Sequence, residues 1–107
     1  MNANIFGLAI GLGFAALLGP LVAMADAISQ TKNAIEQGKL GETGKLVAHA
    51  ENALKHAEVA IQADDGSHTK EGIAHLEAAI DHGKQENVDV AVMHAEVALQ
   101  FLEAARK

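Results

Sequence analysis

The chain of 107 residues contains no cysteine, tryptophan or tyrosine. Without thiols there is no disulfide framework, no thiolate metal site and no thiol nucleophile. Proline occurs once, at Pro20, and the three aromatic residues are all Phe, two of them at Phe6 and Phe14. Basic side chains are scarce: Lys plus Arg number 8 against 14 for Asp plus Glu, a net charge of −6. A nucleic-acid-binding module is basic, so nucleic acid is not expected as a partner, and cations are attracted instead. The two serines, Ser29 and Ser67, sit where helices begin, and no nucleophile–base set accompanies them. A di-iron bundle needs Glu three residues before His, and here Gly72 precedes His75 and Ala79 precedes His82 at that spacing. An enzyme is not expected.

No charged side chain occurs before Asp26. Ile5 to Leu18 is apolar or Gly throughout, Gly19-Pro20 predicts a helix break, and Ala23-Met24-Ala25 fits the small-x-small cleavage rule. Residues 1–25 thus have the layout of a signal peptide, though Met1 to Asn4 carry no Lys or Arg. Removal after Ala25 leaves residues 26–107 as the mature domain, exported to the periplasm. The alternative is an uncleaved leader that anchors the protein to the inner membrane, since Ile5 to Ala25 is just long enough to span.

The rest of the chain is a duplication. Ala34-Ile35-Glu36-Gln37-Gly38-Lys39 recurs 45 residues later as Ala79-Ile80-Asp81-His82-Gly83-Lys84. At the same offset His49-Ala50-Glu51-Asn52-Ala53-Leu54 recurs as His94-Ala95-Glu96-Val97-Ala98-Leu99. The unit is helix, Gly-bearing loop, helix, and two units predict helices near 27–37, 43–63, 67–82 and 88–105. Gly38 and Gly83 suit the C′ positions, Asp64-Asp65-Gly66 reads as a turn, Ser67 as the N-cap of the third helix and Asn87 as that of the fourth. The expected fold is all-α: an antiparallel four-helix bundle made of two tandem helical hairpins.

One heptad frame serves all four helices. Ile28, Ile35, Val47, Leu54, Ile61, Ile73, Ile80, Val92 and Leu99 fall at a. The d and g positions are mostly Ala, Gly and Thr, which implies closely approaching helices and a thin core. Glu51, Glu58, Glu96 and Glu103 fall at e and read as a solvated flank.

All six histidines keep that frame, at c: His49 and His56 in the second helix, His68, His75 and His82 in the third, His94 in the fourth. Position c lies about 100° from the centre of the a/d/g stripe, at the boundary between a neighbouring helix and water. Residues seven apart are roughly 10 Å apart, too far to share an ion. Within a helix, His68 with Glu71, Glu71 with His75 and His82 with Glu86 have workable spacings. Strong chelation has to cross between helices. If the second and third helices meet through these sides, His49 opposes His82 and His56 opposes His75. If the third and fourth do, His75 opposes His94. The two arrangements exclude each other, and the first is preferred because it leaves no His of the second helix unpaired. His and carboxylate without Cys suit Cu(II), Ni(II) or Zn(II), with Cu(II) tightest. The other reading of these residues is a structural or interaction module whose boundary His bind no physiological metal.

From Leu46 to Glu103 the chain resembles the small metal-binding protein family. The matching segments are His49-Ala50-Glu51, Leu54-Lys55-His56-Ala57, the block from Gly72 to Gly83, and His94-Ala95-Glu96-Val97-Ala98-Leu99. The resemblance implies an exported, Cys-free four-helix bundle that takes up copper and other divalent ions in the periplasm as a sponge, buffer or carrier. Carried over residue by residue, its sites are His49, His56, His68, His75, His82 and His94; Glu71 and Glu86 are added by their helical spacing alone. The departures are losses of His: Gln30 and Gln37 in the first helix, and Phe101 where a repeat of His56 would stand. A monomer is expected, with metal ions as partners and contact with a membrane only through an uncleaved leader.

Overall fold

A computed structural model describes residues 2–61 and 66–106, with side chains from residue 19 onward. Four helices follow one another: α1 (Asn2–Lys39), α2 (Thr43–Ala60), α3 (Ser67–Lys84) and α4 (Val88–Arg106). They form two hairpins, α1 with α2 and α3 with α4, packed side by side so that α2 also meets α3 and α1 meets α4. The expected bundle is therefore present.

The largest departure is at the start. α1 runs through Gly19-Pro20, where the sequence predicts a break. Proline removes one i→i−4 hydrogen bond. Its usual steric objection to a helical predecessor depends partly on that residue's Cβ, which Gly19 lacks. The helix therefore continues with one bond fewer, and Ala23 and Met24 join the bundle core.

The frame is right and its centre is displaced. The d positions Thr31, Gly38, Ala50, Ala57, Thr69, Leu76, Gly83, Ala95 and Leu102 are buried, with Thr43 and Val88 at the helix starts half-buried, and the g positions from Ala27 to Ala98 are buried, with Ala105 half-buried. Of the large a residues only Ile28, Ile35 and Ile80 are buried; Val47, Leu54, Ile61, Ile73, Val92 and Leu99 are half-buried. On a wheel of 100° per residue the core axis falls between d and g, with a about 90° to one side and c about 70° to the other. The a residues thus line the α1/α4 and α2/α3 seams, and the c residues line the seams inside each hairpin. The inner layer is Ala and Gly, with Leu46, Leu76 and Leu102 as its largest fully buried residues. Truncating one of these to Ala would cost ~2–5 kcal/mol.

Gly38 and Gly83 lie inside the last turns of α1 and α3, not at C′. A Cβ on Gly38 would collide with Val92 and Leu46, and one on Gly83 would lie 2.6 Å from Val47 Cγ2. Glycine is needed there for close approach. The C′ residues are Gly41 (φ 79°) and, 45 residues on, Glu86 (φ 62°). The Glu42 N–H donates to Gln37 O at 2.9 Å and the Asn87 N–H to His82 O at 2.8 Å, the same Schellman closure twice. Glu86 is an acidic L-residue in left-handed space at the negative end of a helix dipole. Glu86→Gly should raise stability by about 0.5–1 kcal/mol, the relief of strain exceeding the added freedom of the unfolded chain. Urea denaturation of the two proteins measures it, and a loss of stability would contradict this account.

The N-cap of α3 is Gly66, with φ 89°, and Ser67 is already the first helical residue. Asp64 and Asp65 of the expected turn lie outside the described residues. Asn87 precedes α4, and its carbonyl accepts the Ala91 N–H at 3.0 Å.

The e positions are more than a solvated flank. Lys39 pairs with Glu96 at 3.4 Å and Lys84 with Glu51 at 3.6 Å. These two bridges are related by the 45-residue repeat, so the bundle has an approximate twofold axis relating its hairpins. Such exposed pairs contribute little energy, and they follow the register that the packing sets. Lys32 reaches Glu103 at 3.9 Å, while the repeat puts Glu77 and Glu58 at the equivalent places, two carboxylates instead of an ion pair.

Candidate metal centre

Because c lies beside g, the c residues of one hairpin face each other across its own seam. In the second hairpin His75 Nδ1 and His94 Nδ1 are 3.0 Å apart. The structure thus adopts the α3/α4 pairing, and the preferred α2/α3 pairing of His49 with His82 and His56 with His75 is not formed. The α2/α3 seam is taken by a and e residues, with Glu51, Leu54, Glu77, Ile80, Asp81 and Lys84 around a shallow hollow.

The rings of α3 and α4 interleave into a column. His68 meets Phe101 with centroids 6.2 Å apart, Phe101 lies on His75 at 5.8 Å, His75 on His94 at 5.3 Å and His94 on His82 at 5.5 Å. Members come alternately from α3 and α4, because an antiparallel seam with one c residue every two turns staggers them. His75, His82 and His94 are half-buried and His68 is exposed. His82 Nδ1 is buried without a hydrogen-bond partner among the described residues.

The first hairpin repeats the arrangement with other side chains. His49 Nδ1 lies 2.7 Å from Gln30 Oε1 and so donates to it. Residues 30 and 49 are the repeat equivalents of 75 and 94. His56 stands at the place of Phe101 and Gln37 at that of His82. His49 and His56 are therefore separated by an amide and do not meet.

The carboxylates stand apart from this column. Glu71 is at the outward f position of α3 and exposed, and Glu86 lies beyond the end of α3, where helical i,i+4 spacing no longer applies. Among the described residues neither makes an ion pair with a histidine. Nor, among those residues, does any group of three or more His, Asp or Glu converge closely enough to hold an ion as it stands. The closest approach is the pair His75–His94, which the shared c position made visible in the sequence without saying which helices it joined.

The pair is chemically suited to a cation. Two nitrogens on one ion at bonds of ~2.0–2.1 Å lie about 2.9 Å apart at a right angle and about 3.3 Å apart at the tetrahedral angle. The observed 3.0 Å is the length of an N–H···N hydrogen bond and brings the two donors within reach of one ion. In the metal-free protein one Nδ1–H donates to the other Nδ1. A bound ion would take the place of that proton, which would move to Nε2 of the same ring and leave both imidazoles neutral.

Neutrality is favoured at His94, whose pKa is lowered by burial and by repulsion from His75 and His82. A histidine whose folded pKa is depressed takes up its proton more readily in the unfolded chain. The stability linked to neutral His94 is therefore complete above the unfolded value of ~6.5 and is lost as pH falls through the lowered folded value. The thermal midpoint of the metal-free protein should drop as pH falls below about 6.5, and His94→Gln should flatten that drop. An unchanged pH profile in the variant would show that His94 carries none of it.

Among curated proteins no match was found. The family model described as "Small metal-binding protein" matches residues 2–105. A match of that extent, over a four-helix bundle with paired imidazoles, places the chain in the small metal-binding protein family.

Proposed function

We propose that the protein binds divalent metal ions, copper foremost, as a periplasmic buffer or carrier, and that His75 and His94 are the primary ligands. The 3.0 Å approach of their Nδ1 atoms carries this reading. His82 supplies a third donor when its ring turns its orphaned Nδ1 toward the ion, and water fills the remaining positions. His68, His49 and His56 are single, weaker ligands, and Glu71 and Glu86 act through charge at longer range. Few protein donors and a half-open seam suit exchange rather than permanent storage, and no catalytic role is assigned.

Support for Cu(II) over Zn(II) comes from the general affinity order of divalent ions for imidazole and carboxylate donors, in which Cu(II) is tightest. Calorimetric titration at pH 7.5 should find one tight Cu(II) per chain, with Ni(II) and Zn(II) weaker. Absence of Cu(II) binding at micromolar protein would favour the structural reading instead.

Export rests on the uncharged, apolar start and the Ala23-Met24-Ala25 box. The intact mass of protein recovered from the periplasm should match residues 26–107. Full-length protein in the membrane fraction would support the anchored form. Cleavage after Ala25 also removes Ala23 and Met24 from one end of the core, leaving the His75–His94 seam untouched. The mature protein is taken to act as a monomer.

A further inference from the structure

The ring column along α3 and α4 is interrupted at one place by a side chain without a donor atom. Phe101 lies flat on His75, with ring planes 7° apart and centroids 5.8 Å apart. Its other neighbour in the column is His68, 6.2 Å away and tilted by 32°. His75 is thus held between Phe101 and His94, and the Nδ1 edge of its ring faces His94. Turning the His75 ring about its χ2 bond would break the flat contact with Phe101 and withdraw Nδ1 from its partner.

The position of Phe101 has a second consequence. One heptad separates His68 from His75 and Phe101 from His94. Residues 68 and 101 therefore stand to each other as 75 stands to 94. Imidazole at 101 would give the seam a second two-nitrogen site, and the repeat carries His at the equivalent place, His56. With Phe there, His68 has no partner donor across the seam.

We propose that Phe101 is the positioning residue of the His75–His94 pair and the stop that holds the α3/α4 seam to a single ion. The proposal rests on the metal-binding reading of that pair. Phe101 does not touch the ion. It acts through His75, by fixing the plane of that ring, and through His68, by denying it a second imidazole.

The test uses Phe101→Leu, Phe101→Tyr and Phe101→His, with aqueous Cu(II) as the probe and circular dichroism to verify folding. Phe101 is half-buried, so Leu keeps most of its bulk while removing the flat ring, and Tyr keeps the ring. In metal-free protein, the ¹⁵N shifts of the His75 ring should be alike in wild type and Phe101→Tyr. In Phe101→Leu they should move toward those of an imidazole exchanging freely between tautomers. Cu(II) affinity should fall on the order of tenfold in Phe101→Leu, the scale seen for groups that orient metal ligands, and Tyr should restore it. Phe101→His should take two ions per chain instead of one. Wild-type His75 shifts and affinity in Phe101→Leu would overturn the positioning role, and a single ion in Phe101→His would overturn the stop. Should wild type bind no Cu(II), the metal-binding reading fails, and the His75 shifts still decide whether Phe101 positions that ring.

Discussion

Replacing either His75 or His94 by Ala should weaken Cu(II) binding by at least about tenfold, or ~1.4 kcal/mol, and replacing both should cost little more than replacing one. The reason is geometric. Their Nδ1 atoms, 3.0 Å apart, form one chelating edge, and either truncation destroys that edge entirely. Two substitutions that break the same unit are not additive. His82→Ala should weaken binding less, because its Nδ1 faces no hydrogen-bond partner among the described residues and joins only by turning. His49→Ala and His56→Ala should leave the tight site unchanged, since they lie in the other hairpin, on either side of Gln30. Isothermal titration of the wild type and these six variants at pH 7.5 separates the possibilities. A His56→Ala loss as large as that of His75→Ala, with His94→Ala silent, would mean that the ion bridges α2 and α3 and that the seam assignment is wrong.

That assignment is where the sequence stopped being informative. The 45-residue repeat and the single heptad frame made four helices, two hairpins and an antiparallel bundle legible, because helix period and repeat length are properties of the chain alone. The hand of the bundle is not. Placing His75 opposite His94 or opposite His56 depends on which neighbouring helix stands on the c side of the core axis, and that is set by the turn of the bundle. The structure centres on d and g because Gly38, Gly72 and Gly83 let Leu46, Leu102 and Val47 enter the interface. A close-packed layer of Ala and Gly displaces the bulky a residues to the outer seams and brings c inward on the other side. The e positions carried a usable signal: Lys39 with Glu96 and Lys84 with Glu51 are complementary pairs at the repeat offset. They assign a and e to the α1/α4 and α2/α3 seams and leave c for the hairpin interiors. Pro20 misled for a different reason: glycine before it removes the Cβ part of the usual conflict, while the lost hydrogen bond and the crowding of the carbonyl four residues back are tolerated within α1.

The approximate twofold axis also makes the strongest test of what a site requires. Gln30→His should create a second Cu(II) site in the first hairpin, raising the binding capacity from one ion per chain to two. Gln30 and His49 already meet at 2.7 Å across the α1/α2 seam, at the repeat equivalents of His75 and His94. An amide oxygen is a poor ligand for Cu(II) beside an imidazole nitrogen, so the existing pair spends its His49 Nδ1–H on a hydrogen bond. Histidine at 30 would restore the two-nitrogen edge on a backbone that already presents it. The new site should be weaker than the original, because Gln37 stands where His82 offers a third nitrogen, and because His56, not Phe101, flanks the new ring. Adding Gln37→His should narrow that gap. Bound ion at the second edge should also stabilise α1 against α2 by mass action, raising the thermal midpoint in Cu(II) beyond that of wild type. Equilibrium dialysis against Cu(II), with the metal measured per chain, gives the count. If Gln30→His folds and still holds only one ion, then facing imidazoles at this register are not sufficient, and the His82 nitrogen or the Phe101 ring is what makes the second hairpin competent.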